Sequence, residues 1–165
     1  MKGHFDDHGG IRMVDVKDKP VTLREAYAKG HLAISERQVE VLSENALAKG
    51  DWRTTAQIAG IQGAKRCAAL VPLCHSVLLE SVDVDVVLDS RSRSVAVTAR
   101  VAATAKTGVE MEALCAVSAA LLTVYDMIKG IDKAAVIESI RLEKKSGGRS
   151  GLWQRDLPET TSPKN

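Results

Sequence analysis

Two periods of apolar spacing divide the chain, one of two residues and one of three to four. Between Val77 and Leu88 the period is two: Val82, Val84 and Val86 alternate with Asp83 and Asp85, the pattern of a half-exposed strand. Ser90-Arg91-Ser92-Arg93 turns the chain, and Val95, Val97, Ala99 and Val101 resume the alternation, which predicts an antiparallel hairpin. The helical period is clearest from Val109 to Lys129, where Leu114, Val117, Leu121, Val124 and Ile128 form one core stripe. Ser35-Glu36-Arg37-Gln38 is a capping box that opens a helix with apolar Val39, Leu42, Ala46 and Leu47. Lys49-Gly50-Asp51 breaks it, and Asp51 is placed to cap a longer, alanine-rich helix that runs to about Leu70 and stops at Pro72. Thr22-Leu23-Arg24-Glu25 has the form of another capping box and predicts a short helix ended by Gly30, with a short strand over residues 31–34. A last strand is expected near Val136 to Leu142.

Strand, helices, hairpin, helix and strand in this order imply an α+β domain with helices on one face of a mainly antiparallel sheet, arranged as a ferredoxin-like sandwich. Residues 1–20 and 152–165 are rich in Gly, Pro, Asp, Lys and Thr and read as mobile ends, leaving one domain over 21–151. His4-Phe5-Asp6-Asp7-His8 has metal-ligand residue types, but nothing rigid holds them, so a solvated tail is the better reading and no metal site is assigned.

Composition narrows the function. Aromatics make up 3% of the chain, too few for the stacking platforms of a single-stranded nucleic-acid binder. A formal net charge of +2 is too small for a nonspecific nucleic-acid field, although local Lys and Arg clusters suit a small anion. Cys67, Cys74 and Cys115 are too scattered for a disulfide framework and read as reduced, buried, small apolar residues. No leader-like stretch and no run of transmembrane length stand out, which predicts a cytoplasmic protein without a membrane partner.

Four segments concentrate polar groups that packing does not require. Lys49-Gly50-Asp51 is a plain interhelical turn or a lysine placed for a phosphate. In Pro72-Leu73-Cys74-His75 the histidine is a structural hydrogen-bonder unless other polar groups converge on it. The long helix begins with Glu110-Met111-Glu112 and ends with Asp126 and Lys129. Asp126 meets the negative end of the helix dipole while Lys129, three residues on, favours its charged form. That pair is either a proton-transfer site or an exposed ion pair. Lys145-Ser146-Gly147-Gly148-Arg149-Ser150-Gly151 is donor-rich enough to wrap a triphosphate, or is a basic frayed end. Gly60-Ile61-Gln62-Gly63-Ala64-Lys65 lies inside a helix and lacks the strand–loop–helix context of a phosphate loop.

Taken in order, these blocks resemble the cyclic pyranopterin monophosphate synthase (MoaC) family. The similarity runs from Met13-Val14-Asp15-Val16 to Ser150-Gly151. It is densest at Lys49-Gly50-Asp51, Ala59-Gly60-Ile61-Gln62, Ala64-Lys65-Arg66, Pro72-Leu73-Cys74-His75, Lys106 to Leu114, Tyr125-Asp126-Met127 and Lys145-Ser146-Gly147-Gly148. The resemblance implies a lyase of molybdenum cofactor biosynthesis. It acts on a 3′,8-cyclised dihydroguanosine triphosphate made from GTP, closes a cyclic phosphate and releases pyrophosphate. By the same resemblance Asp126 and Lys129 are catalytic, and Leu73, Cys74, His75, Met111 and Glu112 contact substrate. Lys49 and Lys145 are its surrounding cations, no cofactor is required, and Mg²⁺ can accompany the triphosphate. The family assembles as a hexamer, a trimer of dimers. Ser76 stands where the family has proline, Gly130 where it has alanine and Arg149 where it has lysine; none of these removes a matched residue.

Helical geometry adds an expectation about assembly. Fourteen residues separate Glu112 from Asp126, which is about 21 Å along one helix. Serving one small reacting centre therefore takes two chains. The alternative to catalysis is a noncatalytic nucleotide- or RNA-binding module, which would tolerate the loss of Asp126.

Overall fold

The computed structural model describes residues 9–156; the His4–His8 segment lies outside them. Its elements are β1 (Thr22–Ala33), α1 (Glu36–Ser43), α2 (Trp52–Lys65), α3 (Cys67–Leu70), β2 (Ser81–Asp89), β3 (Ser94–Ala105), α4 (Glu110–Ile128), β4 (Val136–Ser146) and β5 (Trp153–Gln154). All strand pairs are antiparallel, in the order β2-β3-β1-β4-β5. The first four strands have the order of a ferredoxin-like split βαβ sandwich, as expected.

The helical expectation for residues 22–30 was wrong. These residues begin the central strand β1, which pairs along one edge with β3 and along the other with β4. Its strand signal is the alternation of Arg24, Ala26, Ala28, Gly30 and Leu32, all buried beneath the helices. Small residues occur there because α4 lies so close. A Cβ on Gly30 would stand 2.8 Å from the side chains of both Leu121 and Val117. Backbone pairing on both edges outweighs the weak β preference of Ala and Gly.

The hairpin β2–β3 and the helix α4 fall where the periodicity placed them. In the α4 stripe Val117, Leu121, Val124 and Ile128 are fully buried, and Leu114 packs against the same core. By length and composition α4 is also able to cross a membrane, contrary to the expectation that no run reaches that length, yet half of it is buried in this core.

Asp51 caps α2 by accepting from Arg53 N (3.0 Å) and Thr54 N (3.4 Å). The helix expected to reach Leu70 instead breaks after Lys65 and resumes as the short α3. Gln38 accepts from Ser35 N at 2.9 Å, and its amide donates to Asp132 O at 2.8 Å, fastening α1 to the loop that follows α4. Trp52, fully buried, donates its indole N–H to Leu42 O at 3.1 Å. Together these contacts hold the α1–α2 turn, and with it Lys49, beside the C-terminal end of α4.

β4 runs four residues beyond its expected end, so Lys144, Lys145 and Ser146 belong to the sheet. The short β5 falls in the segment read as a tail and pairs with Lys144 and Lys145. At the other end of the chain, residues 9–20 touch the domain through Val14 O, which accepts from His75 Nε2 at 2.8 Å, and Lys17 O, which accepts from Lys106 Nζ at 2.7 Å.

Candidate active site

Polar chemistry gathers at the two ends of α4. At its C-terminal end Lys129 Nζ stands 2.7 Å from Asp126 Oδ1, one turn along the helix. Lys49 Nζ stands 2.8 Å from Asp126 Oδ2 and also donates to Asp126 O at 2.8 Å. The second of these ammonium–carboxylate contacts was not foreseen: Lys49 was grouped with the phosphate cations, and the fold brings it to the aspartate instead. The helix dipole opposes charge on Asp126, but two ammonium groups in contact override it. Lys129 first and Lys49 second hold the carboxyl down to about 2. Asp126 in turn raises the pKa of Lys129. All three side chains are about half exposed, so the cluster faces solvent.

At the N-terminal end of α4 a cleft of about 290 Å³ is bordered, among the described residues, by Lys19, Arg24, Lys106, Lys145 and Arg149, five cations against the single carboxylate of Glu110. Lys145 Nζ lies 3.2 Å from Glu110 Oε1 and donates to Ser150 Oγ at 2.9 Å. Arg24 is nearly buried, and its guanidinium donates to Ala105 O (3.2 Å) and Lys106 O (3.3 Å). The chain passes directly over this guanidinium at Gly148, with φ +69°, where a Cβ would lie 1.7 Å from Arg24 Nη1. Only glycine accepts both that backbone angle and that approach. Cations, backbone donors and a helix N-terminus on one concave surface suit a polyanion.

A second cavity, about 250 Å³, adjoins the cleft through Thr107 and Gly108; it is lined by Leu73, Cys74, His75 and Met111. The fold therefore brings five of the seven expected substrate-contact residues to this end of α4: Leu73, Cys74, His75, Met111 and Lys145. Glu112 is next to them but buried behind the cavity, its Oε1 accepting a long contact of 3.9 Å from the Cys74 thiol. Burial pushes the pKa of Glu112 up, and that of Cys74 as well. Nε2 of His75 donates to Val14 O, which ties the N-terminal segment across the cavity. Of the seven, only Lys49 lies at the far end, with Asp126.

Arg24 and Lys106, which border the cleft, are not among the residues expected from the sequence. Lys106 stood inside a matched block, whereas Arg24 was hidden by the helical reading of its segment. The expectation of three buried thiols holds for Cys67; Cys74 and Cys115 are partly exposed, and all three are free.

The MoaC family model matches residues 13–148. A protein of Streptomyces griseus named cyclic pyranopterin monophosphate synthase is 51% identical over 156 residues, covering 94% of this chain and 87% of its own. A protein of Thermomicrobium roseum with the same name is 46% identical over 156 residues, covering 94% of each chain. One of Heliobacterium modesticaldum, also so named, is 48% identical over 153 residues, covering 93% of this chain and 96% of its own.

Proposed function

The chain belongs to the MoaC family, and from that premise we propose how its residues carry out the synthesis of cyclic pyranopterin monophosphate. The protein is a lyase of molybdenum cofactor biosynthesis, and its substrate is (8S)-3′,8-cyclo-7,8-dihydroguanosine 5′-triphosphate. The noncatalytic alternative is not favoured, because the relatives are named as synthases.

The triphosphate lies in the cleft of Arg24, Lys106 and Lys145, whose cations stabilise the pyrophosphate that leaves when the cyclic phosphate closes. Leu73, Cys74, His75 and Met111 hold the purine-derived ring in the adjoining cavity, with Glu112 behind it. Among the described residues the cleft has one carboxylate, Glu110, already paired with Lys145. It therefore suits no Mg²⁺ of its own, and any Mg²⁺ arrives on the triphosphate. No other cofactor is needed.

Asp126 and Lys129 carry the proton transfers. In the free protein Asp126 is always ionised near neutral pH and binds protons weakly. A substrate phosphate that draws Lys49 away frees Asp126 Oδ2 and moves the carboxyl back toward the ordinary range, where it is a better base. Lys129, kept charged by Asp126, is the matching acid. These groups lie some 20 Å from the cleft of their own chain, by the rise of α4. Each active site therefore combines the cleft of one chain with the Lys49–Asp126–Lys129 cluster of another, in a hexamer built as a trimer of dimers and working in the cytoplasm.

The observation that carries this reading is the pair of lysines on Asp126, an arrangement a mere surface ion pair does not require. The test is to incubate the protein with the cyclised triphosphate and follow pterin and pyrophosphate together. Equal, enzyme-dependent release of both is expected; substrate bound but unchanged would refute the reading.

A further inference from the structure

Behind the ring cavity three soft or anionic groups converge that the proposed reaction does not bring together for any purpose. Cys67, on α3, is 1% exposed, and its Sγ lies 3.9 Å from Cys74 Sγ. Cys74 Sγ lies 3.9 Å from Glu112 Oε1, and the three ligand atoms all lie within 4.8 Å of one another. Tetrahedral zinc with bonds of about 2.3 Å to sulfur and 2.0 Å to oxygen has edges of about 3.8 Å between two sulfurs and 3.5 Å between sulfur and oxygen. Two edges, Cys67–Cys74 and Cys74–Glu112, are thus within a few tenths of an ångström of such a polyhedron, and the third, at no more than 4.8 Å, has to contract to close its face.

A second observation points the same way. Glu112 is 3% exposed, and its Oε2 is buried with no hydrogen-bond partner among the described residues. An orphaned carboxylate oxygen in an apolar setting is costly unless something compensates it. The two thiols are weak donors at long range and compensate it poorly. A cation would do so fully, and Cys74, which lines the ring cavity, provides its path of entry. Burial raises the pKa of all three groups, so a cation entering the site displaces protons as it binds.

We propose that Cys67, Cys74 and Glu112 form a binding site for a thiophilic divalent cation of the zinc type, and that its occupancy blocks the adjoining substrate cavity. Two thiolates and a carboxylate select zinc over magnesium or calcium, which prefer all-oxygen shells. The blocking follows because Cys74, which lines the cavity, cannot hold a cation and contact substrate at once; that half of the inference rests on the substrate reading given above.

The test uses the reduced, chelator-washed, full-length protein and cobalt(II) as a spectroscopic probe for zinc. One cobalt per chain is expected, with a thiolate-to-metal charge-transfer band that zinc abolishes. Cys67→Ser should weaken binding by more than about 100-fold, since even groups that only support a metal ligand are worth about 10–100-fold. Cys67→Ala, checked by circular dichroism, covers the case in which the serine variant misfolds. Absence of the band in folded wild type, or equal binding by either variant, overturns the site. So does a thiol count below three in the reduced metal-free protein, which would mean a disulfide uses the same donors. In the activity arm, stoichiometric zinc should inhibit wild type and spare Cys67→Ser, with a chelator restoring turnover. Cobalt binding without inhibition would leave the metal site standing and overturn the blocking alone.

Discussion

Lys49→Met removes one of the two cations that hold the Asp126 carboxyl at about 2, against an ordinary 3.8. Each lysine contributes to the shift, so this variant should place Asp126 between those two values. Lys129, the first-ranked cause, should raise it at least as far when replaced by Met. The sign follows from linkage. A carboxylate whose pKa is depressed on folding adds stability above its unfolded pKa and loses it as pH falls through the folded one. The window here is therefore about 3.8 down to about 2. Lys49→Met raises the lower edge of that window. The group is exposed, so the effect should shrink as salt screens the contacts. Carbon-13 NMR of the labelled aspartate side chains, titrated at low and high salt, reads the shift directly. A kinetic consequence comes with it: kcat/KM reports ionisations of the free enzyme, so Asp126 should contribute no acid limb above about pH 4 in wild type. An Asp126 carboxyl that titrates at its ordinary value in wild type, or is unmoved by both substitutions, would refute the two-lysine account.

Three further outcomes are expected. Asp126→Asn should lower turnover by roughly a hundredfold or more while circular dichroism and assembly stay normal, because an amide cannot exchange the proton; near-normal rates would sink its catalytic role. Lys145→Ala should raise KM more than it lowers kcat, and added salt should weaken wild-type binding of the triphosphate as well; unchanged binding would put the anion elsewhere. Glu112→Gln and Asp126→Asn, each inactive alone, should recover activity when their subunits exchange, since a mixed dimer has one site free of both changes. Tag-verified mixed oligomers that remain inactive would place each site within a single chain.

What could be read from the sequence depended on how local its cause was. The β2–β3 hairpin, α4 and the cap at Asp51 depend on residues a few positions apart, and they appear as expected. The Asp126–Lys129 contact is also local, one helical turn. Lys49 meets Asp126 across 77 positions of sequence, a contact made by the Trp52 and Gln38 anchors of the α1–α2 turn, which no periodicity reveals. The misreading of residues 22–30 has the same origin. A Thr-x-x-Glu start and alanines imitate a helix, whereas the deciding influence is the closeness of α4 over Ala28, Gly30 and Leu32. Losing that strand concealed Arg24 too. Glu112 entered only through the family resemblance, and only packing shows that its carboxylate is buried with one oxygen lacking a partner among the described residues.

The placement of β1 between β3 and β4 also sets the order in which the protein can be made. β1 precedes the other described strands in the chain, yet one of its edges is completed only by Val136–Ser146, more than a hundred residues later. Until that segment emerges, a growing chain holds β1 with an open edge, able to pair with whatever extended backbone it meets. Such late, long-range pairing slows folding and exposes intermediates to aggregation. The same late segment supplies Lys145 and leads into Gly148, so the anion cleft is finished at the moment the sheet closes. Truncation shortly before Val136 should thus yield an aggregating fragment rather than a weakened enzyme.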